Sequence, residues 1–156
     1  MVQAIPAGYA GVTAYLIIRD AGRAIDFYKN AFGATELMRF PGPDGKIGHA
    51  EMKIGEGVFM LADESPARGH KSPQTLGGTA VSLMFYVPDV DARFATALAA
   101  GGTVMNPLKD QFYGDRSGTL TDPFGHVWTI ATHTEDVSEE EMQRRMAAMT
   151  SAAKTT

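Results

Sequence analysis

The 156-residue sequence contains no cysteine, which excludes disulfide bonds, thiolate metal sites and thiol nucleophiles. It has no apolar run near the roughly 18 residues that a membrane helix needs, and its first residues lack the basic patch and apolar core of a signal peptide. Basic and acidic residues are mixed along the chain, and the net charge is −4. These absences predict a cytoplasmic protein with no nucleic-acid partner and no membrane partner.

What the chain does contain is the pattern of a mixed helix and strand protein. Its apolar fraction of 44% is enough to fill one core of ordinary size. Residues 12–20 alternate in polarity as a strand does, and Asp20 can cap a helix over Ala21 to Phe32 that ends at Gly33. Three further strands are predicted at 35–40, 47–54 and 58–62.

The same order of elements then occurs a second time. A strand at 82–89 leads into a helix that contains Phe94 and Leu98 and runs to Gly101 and Gly102. The last strands are predicted at 103–105, 118–122 and 126–133. Three pairs of equivalent residues are each 69 positions apart, namely Asp20 and Asp89, Gly33 and Gly102, and Val58 and Val127. The sequence therefore predicts an α+β fold made of two tandem βαβββ modules.

This repeat divides the chain into four segments. They are a first module at 12–63, a linker or lid rich in glycine, proline and serine at 64–80, a second module at 81–134, and an amphipathic helix and tail at 135–156. The last helix begins with a capping box at Ser138 and carries a stripe of Met142, Met146 and Met149. A lone helix must bury such a stripe on its own domain or across an interface, and we favour the interface of a homodimer.

A closing hairpin is marked by the turn Asp122-Pro123-Phe124-Gly125. Proline fixes φ at the second position and glycine accepts a positive φ at the fourth, so the chain must reverse there. In the strand that follows, alternation turns His126 and Trp128 toward the helix, where both are expected to pack.

Several motifs resemble the vicinal oxygen chelate superfamily, which includes glyoxalase I, the bleomycin and fosfomycin resistance proteins and the extradiol dioxygenases. They are Ala24-Ile25-Asp26-Phe27-Tyr28-Lys29 ahead of Phe32-Gly33, and Asp122-Pro123-Phe124-Gly125-His126. Three further stretches resemble the PhnB-like branch: His49-Ala50-Glu51, Tyr113-Gly114-Asp115-Arg116, and the strand from Trp128 to His133. The resemblance implies that the two modules curve their sheets into a cup, with a divalent metal site formed by the first and last strands of each module.

The metal ligands of that superfamily do not carry over to this chain. By position they fall on Thr13, Met60, Ser82 and Thr129, and none of these is a histidine or a carboxylate. Hydroxyl and thioether groups are poor substitutes for the donors that such metals need. We therefore expect a cup without a metal and without a cofactor.

Strand alternation predicts which side chains line the cup. If the wholly apolar strand faces pack on the helices, the other faces look into the cup. The inward residues of the first module are Thr13, Tyr15, His49, Glu51 and Met60, and those of the second are Ser82, Met84, Tyr86, Thr129 and His133. The loop before the closing hairpin adds Phe112, Tyr113 and Arg116 as candidate ligand-binding residues. Arg116 either clamps an anionic group of the ligand or pairs with Asp115 to hold the loop.

His49 and Glu51 are the candidate catalytic residues, because a carboxylate beside an imidazole fixes its tautomer and raises its basicity. Other readings are that they are polar anchors in a ligand cup, or that they line a half-exposed edge with Glu51 as a solvated charge. Resemblance to the bleomycin-resistance proteins implies binding of a small aromatic or amphipathic molecule by sequestration. One alternative is a glyoxalase-like lyase or isomerase that uses His49 and Glu51 as acid and base, or as metal ligands with His133. The other is a non-catalytic interaction module.

Overall fold

A computed structural model describes residues 2–153 and contains two four-stranded sheets. The first unit consists of β1 (Tyr15–Ile18), α1 (Ala21–Phe32), β2 (Thr35–Pro41), β3 (Ile47–Ile54) and β4 (Gly57–Asp63). A 3-10 turn (Pro66–Arg68) and a short helix α2 (Pro73–Leu76) follow. The second unit consists of β5 (Ser82–Tyr86), α3 (Val90–Ala99), β6 (Thr103–Asp110), β7 (Asp115–Thr121) and β8 (Val127–His133), and α4 (Glu139–Ala153) comes last. Residues 154–156 of the predicted tail lie outside the described residues.

Both sheets have the same strand order, β1-β4-β3-β2 in the first and β5-β8-β7-β6 in the second. The first strand of each unit pairs in parallel with the last, and the other pairs are antiparallel. The side chains of Asp20 and Asp89 accept hydrogen bonds from the N–H groups of Arg23 and Ala92, as expected of helix caps. The predicted α+β fold of two βαβββ modules is confirmed.

Some element ends differ from the sequence prediction. The strand predicted at 103–105 runs on to Asp110, through Pro107. Proline is tolerated there because β6 is an edge strand, where a missing N–H breaks no ladder. The strand predicted from 118 begins at Asp115, and the strand predicted from 12 begins at Tyr15.

The two units share one core on the helix-facing sides of their sheets. Helix α1 packs against α3, and the buried ring of Trp128 from β8 lies between rings of the first unit. Its centroid is 5.4 Å from that of Tyr28, 4.9 Å from that of Phe32 and 5.8 Å from that of Phe59. The predicted core position of Trp128 is confirmed, and His126 is also buried. The opposite face of each sheet is therefore turned away from the core.

Among residues 2–153, no helix is both long and apolar enough to span a bilayer. The longest, α4, begins as predicted, since the Glu141 N–H donates to the Ser138 hydroxyl at 3.3 Å. Its Met146 and Met149 are more than half exposed, so most of the apolar stripe faces away from the protein.

Candidate functional site

The first face is the side of the first sheet that points away from α1, and strand register fixes its members. Met60 lies between Tyr15 of β1 and Glu51 of β3, and Glu51 lies beside Met38 of β2. His49, the next inward residue of β3, pairs with Phe40, which is 60% exposed. The first face thus comprises Tyr15, Met38, Phe40, His49, Glu51 and Met60. Apolar side chains surround one polar pair.

Hydrogen bonds join the polar groups of the first face into one network. His49 Nε2 lies 3.3 Å from Glu51 Oε1, and His49 Nδ1 lies 2.9 Å from the Tyr15 hydroxyl. An ionised carboxylate only accepts, so Nε2 carries the proton, and Nδ1 of a neutral ring accepts from Tyr15. The hydroxyl of Tyr9, from the segment before β1, donates to Glu51 Oε2.

This network keeps Glu51 ionised. The Tyr9 hydroxyl lowers the pKa of Glu51 most, with a further contribution from His49, while partial burial acts in the opposite direction. Burial raises the pKa of Tyr15, whose hydroxyl therefore stays protonated. The first face can offer one fixed negative charge to a group that donates a hydrogen bond.

The second face is the corresponding side of the second sheet. Met84 of β5 lies beside Thr129 of β8, which lies beside Thr119 of β7. A cavity of about 470 Å³ lies over this row and is lined in addition by Tyr113. The second face comprises Met84, Tyr86, Asp115, Ser117, Thr119, Thr129 and His133, of which Met84 is 48% and Tyr86 57% exposed.

Asp115 is the polar centre at one end of the second face. It is buried, and it accepts the Tyr86 hydroxyl at 2.7 Å and His133 Nδ1 at 2.8 Å. The other ring nitrogen of His133 lies 3.0 Å from a carboxylate oxygen of Asp136. Because both imidazole nitrogens point at carboxylates, the protonated ring is favoured, and the hydrogen bonds to Asp115 and then Asp136 raise the pKa of His133.

The raised pKa of His133 predicts a pH dependence of stability. The contribution of His133 is fully present below its ordinary pKa of 6.5 and is lost as the pH rises through the higher folded-state pKa. In an NMR titration, the His133 ring should therefore have a midpoint above 6.5, and Asp115→Asn should lower that midpoint. A midpoint at or below the ordinary value in the unmodified protein contradicts the assigned contacts.

Arg116 lies on the opposite side of the second sheet from the second face. Because β7 starts at Asp115, alternation directs Arg116 toward α3, where its guanidinium contacts Asp91 at 2.7 and 2.8 Å. It also contacts Asp110 at 3.1 Å. Neither of the predicted roles, a ligand clamp or a pair with Asp115, matches these contacts, so Arg116 drops out of the candidate site.

Arg116→Ala is accordingly expected to leave the affinity for a ligand of either face unchanged, because the side chain contacts α3 and β6 instead. Titration calorimetry with any ligand of the protein checks this. Asp91→Ala is the matched control, because it removes the same ion pair by replacing the partner of Arg116. An affinity loss in the arginine variant alone would return Arg116 to the site.

The remaining predicted residues lie at the edges of the two faces. Thr13 precedes β1, Ser82 opens β5 beside Val127, and Phe112 packs edge-on against the Tyr113 ring at 5.2 Å. The network of the first face also contains Tyr9, which the sequence analysis missed. It occurs in a lead-in without periodicity, and no local pattern could have placed it on β3.

The positions that would hold the superfamily's metal do not fit one. Thr13, Met60, Ser82 and Thr129 offer hydroxyls and a thioether, and the Thr129 hydroxyl is bonded to that of Thr119 at 2.8 Å. Over the described part of the chain, no group of three or more histidine, aspartate or glutamate side chains is arranged to hold a metal ion. A divalent cation prefers imidazole and carboxylate donors.

Two other cavities are lined in part by Tyr15 of the first face. One of about 510 Å³ lies at the end of the first face, between Tyr15, the β2–β3 loop and residues 63–70. The other, of about 430 Å³, is a crevice between the units, lined by Leu76, Val81, Leu83 and His126. The cavity at the end of the first face and the cavity of about 470 Å³ on the second face are each lined, over residues 2–153, without any residue of the other unit's sheet.

Comparison with known proteins places the chain in a family. The model of the Glyoxalase/Bleomycin resistance protein/Dioxygenase superfamily matches residues 10–130. The uncharacterized protein Rv0887c of Mycobacterium tuberculosis is 47% identical over 137 residues, which cover 86% of this chain and 81% of that protein. The crystal structure of TioX from Micromonospora sp. ML1 is similar, with 28% identity, a TM-score of 0.63, and coverage of 83% of this chain and 100% of that chain.

The PhnB protein of Bacillus cereus has the same fold, with a TM-score of 0.61, 22% identity, and coverage of 78% of this chain and 98% of that chain. The match of the family model spans both sheets and most of the strands that carry the two faces. The chain belongs to the Glyoxalase/Bleomycin resistance protein/Dioxygenase superfamily.

Proposed function

We propose that the protein binds a small aromatic or amphipathic molecule against its two sheet faces and sequesters it without making or breaking a bond. The observation that carries this proposal is the composition of the faces. Aromatic and methionine side chains are half exposed there, around a few polar groups held in place by hydrogen bonds. Such a mixture is typical of sites for small organic ligands. The absence of strong donors at Thr13, Met60, Ser82 and Thr129 favours binding over metal-dependent catalysis.

A second copy of the chain completes the cup in this proposal. Within the described residues, the units meet through their helix-facing sides, and neither face cavity is lined by residues of the other unit's sheet. A ligand on one face of a single chain is therefore covered from one side only. In a homodimer, the first face of one protomer and the second face of its partner can enclose it. The mass in solution, measured by light scattering, should be twice that of one chain, and a strictly monomeric protein contradicts this step.

A thermal-shift screen with aromatic and amphipathic compounds tests the binding function. A ligand present at about a hundred times its dissociation constant adds about 2.7 kcal/mol of stability. We expect a clear rise in melting temperature with compounds that combine fused or linked aromatic rings with one polar group. If no compound in a broad panel of this kind raises the melting temperature, the binding proposal fails and the interaction-module alternative is favoured.

An enzyme is the second candidate, favoured by the alignment of Tyr15, His49 and Glu51. The Tyr15 hydroxyl donates to His49 Nδ1, and His49 Nε2 faces Glu51, so this row of hydrogen bonds can exchange a proton with a substrate bound at Tyr15. Such a relay suits a lyase or isomerase that transfers a proton near a carbonyl group. Turnover of a bound compound that is lost in His49→Ala, with binding retained, would favour the enzyme over the sequestering protein.

A further inference from the structure

The segment before β1 lies across the first face. Val58 lies two residues before Met60, on the same side of β4. The main chain passes over it, since a side-chain carbon added to Gly8 would be 3.6 Å from a methyl group of Val58. Tyr9 then reaches Glu51 with its hydroxyl and is partly buried. A backbone bond from the Tyr9 N–H to the Pro6 carbonyl, at 3.2 Å, folds the segment into a turn at this point.

The second unit provides an internal comparison, because its face carries a cavity in the corresponding place. Tyr15 and Met60 correspond to Met84 and Thr129 by the 69-residue offset, and Thr119 pairs with Thr129 as Glu51 pairs with Met60. Above that row on the second face lies an open cavity of about 470 Å³. On the first face, Tyr9 reaches the equivalent place.

We propose, on the basis of the binding function above, that the Tyr9 hydroxyl occupies the position at Glu51 that a hydrogen-bond donor of the ligand takes in the complex. The ligand is an aromatic molecule whose hydroxyl or protonated nitrogen displaces Tyr9 from Glu51. An aromatic ring with one donor aimed at a carboxylate is the arrangement that this part of the face already accepts.

The polar groups around Glu51 exclude the opposite kind of ligand. A carboxylate has no proton to donate, and the Nε2 proton of His49 is directed at Glu51 itself. Lys53, the nearest cation on the same strand, lies 3.0 Å from Glu56. The Arg116 guanidinium is on the far side of the other sheet. An anionic head group placed beside Glu51 would therefore meet that charge with no compensating cation from the first face.

Matched probes that differ only in the donor test this inference. We expect 2-naphthol to bind more tightly than 2-methoxynaphthalene, which has the same ring system without the hydroxyl proton. Glu51→Gln should remove most of that preference. Glu140→Gln is the control, because Glu140 is an exposed carboxylate on α4, outside the first unit. An equal preference in both variants would overturn the role of Glu51.

The Tyr9→Phe variant shows whether the ligand displaces the Tyr9 hydroxyl from Glu51 or only packs against the Tyr9 ring. It keeps the ring but removes the hydroxyl that competes for Glu51, so 2-naphthol should bind about fivefold more tightly to the variant. In the unmodified protein, the Tyr9 ring signals should move to those of an exposed tyrosine as the methyl signals of Met38 and Met60 report binding by NMR.

The same spectra distinguish failure of this inference from failure of the binding function. Methionine signals that shift while Tyr9 stays in place, or weaker binding to Tyr9→Phe, overturn the displacement of Tyr9 and leave binding intact. Methionine signals that respond to neither probe, in the unmodified protein and in Tyr9→Phe alike, overturn the binding function and this inference with it.

Discussion

Replacing Asp122 with alanine is expected to lower the free energy of unfolding by about 3–5 kcal/mol, the sum of several buried donors left unpaired. One carboxylate oxygen of Asp122 accepts the Tyr28 hydroxyl at 2.7 Å and the Trp128 indole N–H at 3.0 Å. The other accepts the backbone N–H groups of Phe124 and His126, both at 2.9 Å. Because Tyr28 belongs to α1 and Asp122 to the closing hairpin, the substitution loosens the contact between the two units.

Urea denaturation measures this effect, with Tyr28→Phe as the matched variant. The phenylalanine keeps the ring in the core and removes one of the four donors, so it should cost about 1 kcal/mol. A cost in Asp122→Ala no larger than that in Tyr28→Phe would mean that the backbone and indole donors find other partners. The carboxylate would then be dispensable.

Met84→Glu is expected to weaken binding of an aromatic ligand by at least about 30-fold, the effect of losing a central contact worth 2 kcal/mol. The thioether lies at the centre of the second face, beside Thr129, and a charge there must be desolvated against an apolar ligand. Because Met84 is half exposed in the single chain, the fold of each protomer should be unaffected. Titration calorimetry and a circular dichroism spectrum provide the two measurements.

Val81→Glu is the control that locates the ligand. Val81 is also an exposed apolar residue of the second unit, but it lines the crevice between the units instead of the second face. It should leave the affinity largely unchanged. Loss of binding in the Val81 variant, with normal binding in Met84→Glu, would move the ligand to the crevice and overturn the proposed use of the faces.

Local chemistry explains why much of the fold was predictable. The bounds of α1 agree with the prediction at both ends, because Asp20 can cap it and Gly33 adopts the left-handed conformation that ends it. The strands that alternate strongly, such as β3, were also bounded correctly. Where alternation was weak, as around Pro107 and Asp115, the strand ends were misplaced, because sheet pairing there depends on a partner strand distant in sequence.

The candidate site was less predictable, for the same reason. Alternation correctly put His49 and Glu51 on one face, but a strand start misplaced by three residues hid the direction of Arg116 and the importance of Asp115. The contact between Tyr9 and Glu51 joins residues 42 positions apart. Nothing in the residues near Tyr9 specifies that contact.

The sequence by itself determined the duplicated βαβββ pattern, the family and the lack of metal donors at the superfamily's ligand positions, because these depend on residue identity and on periods of a few residues. Only the tertiary structure decided that the two units share a core through Trp128, that their other faces stay open, and that Tyr9 covers Glu51. Those features arise from packing and hydrogen bonds between segments far apart in the chain, and such contacts form only when the whole fold brings the segments together.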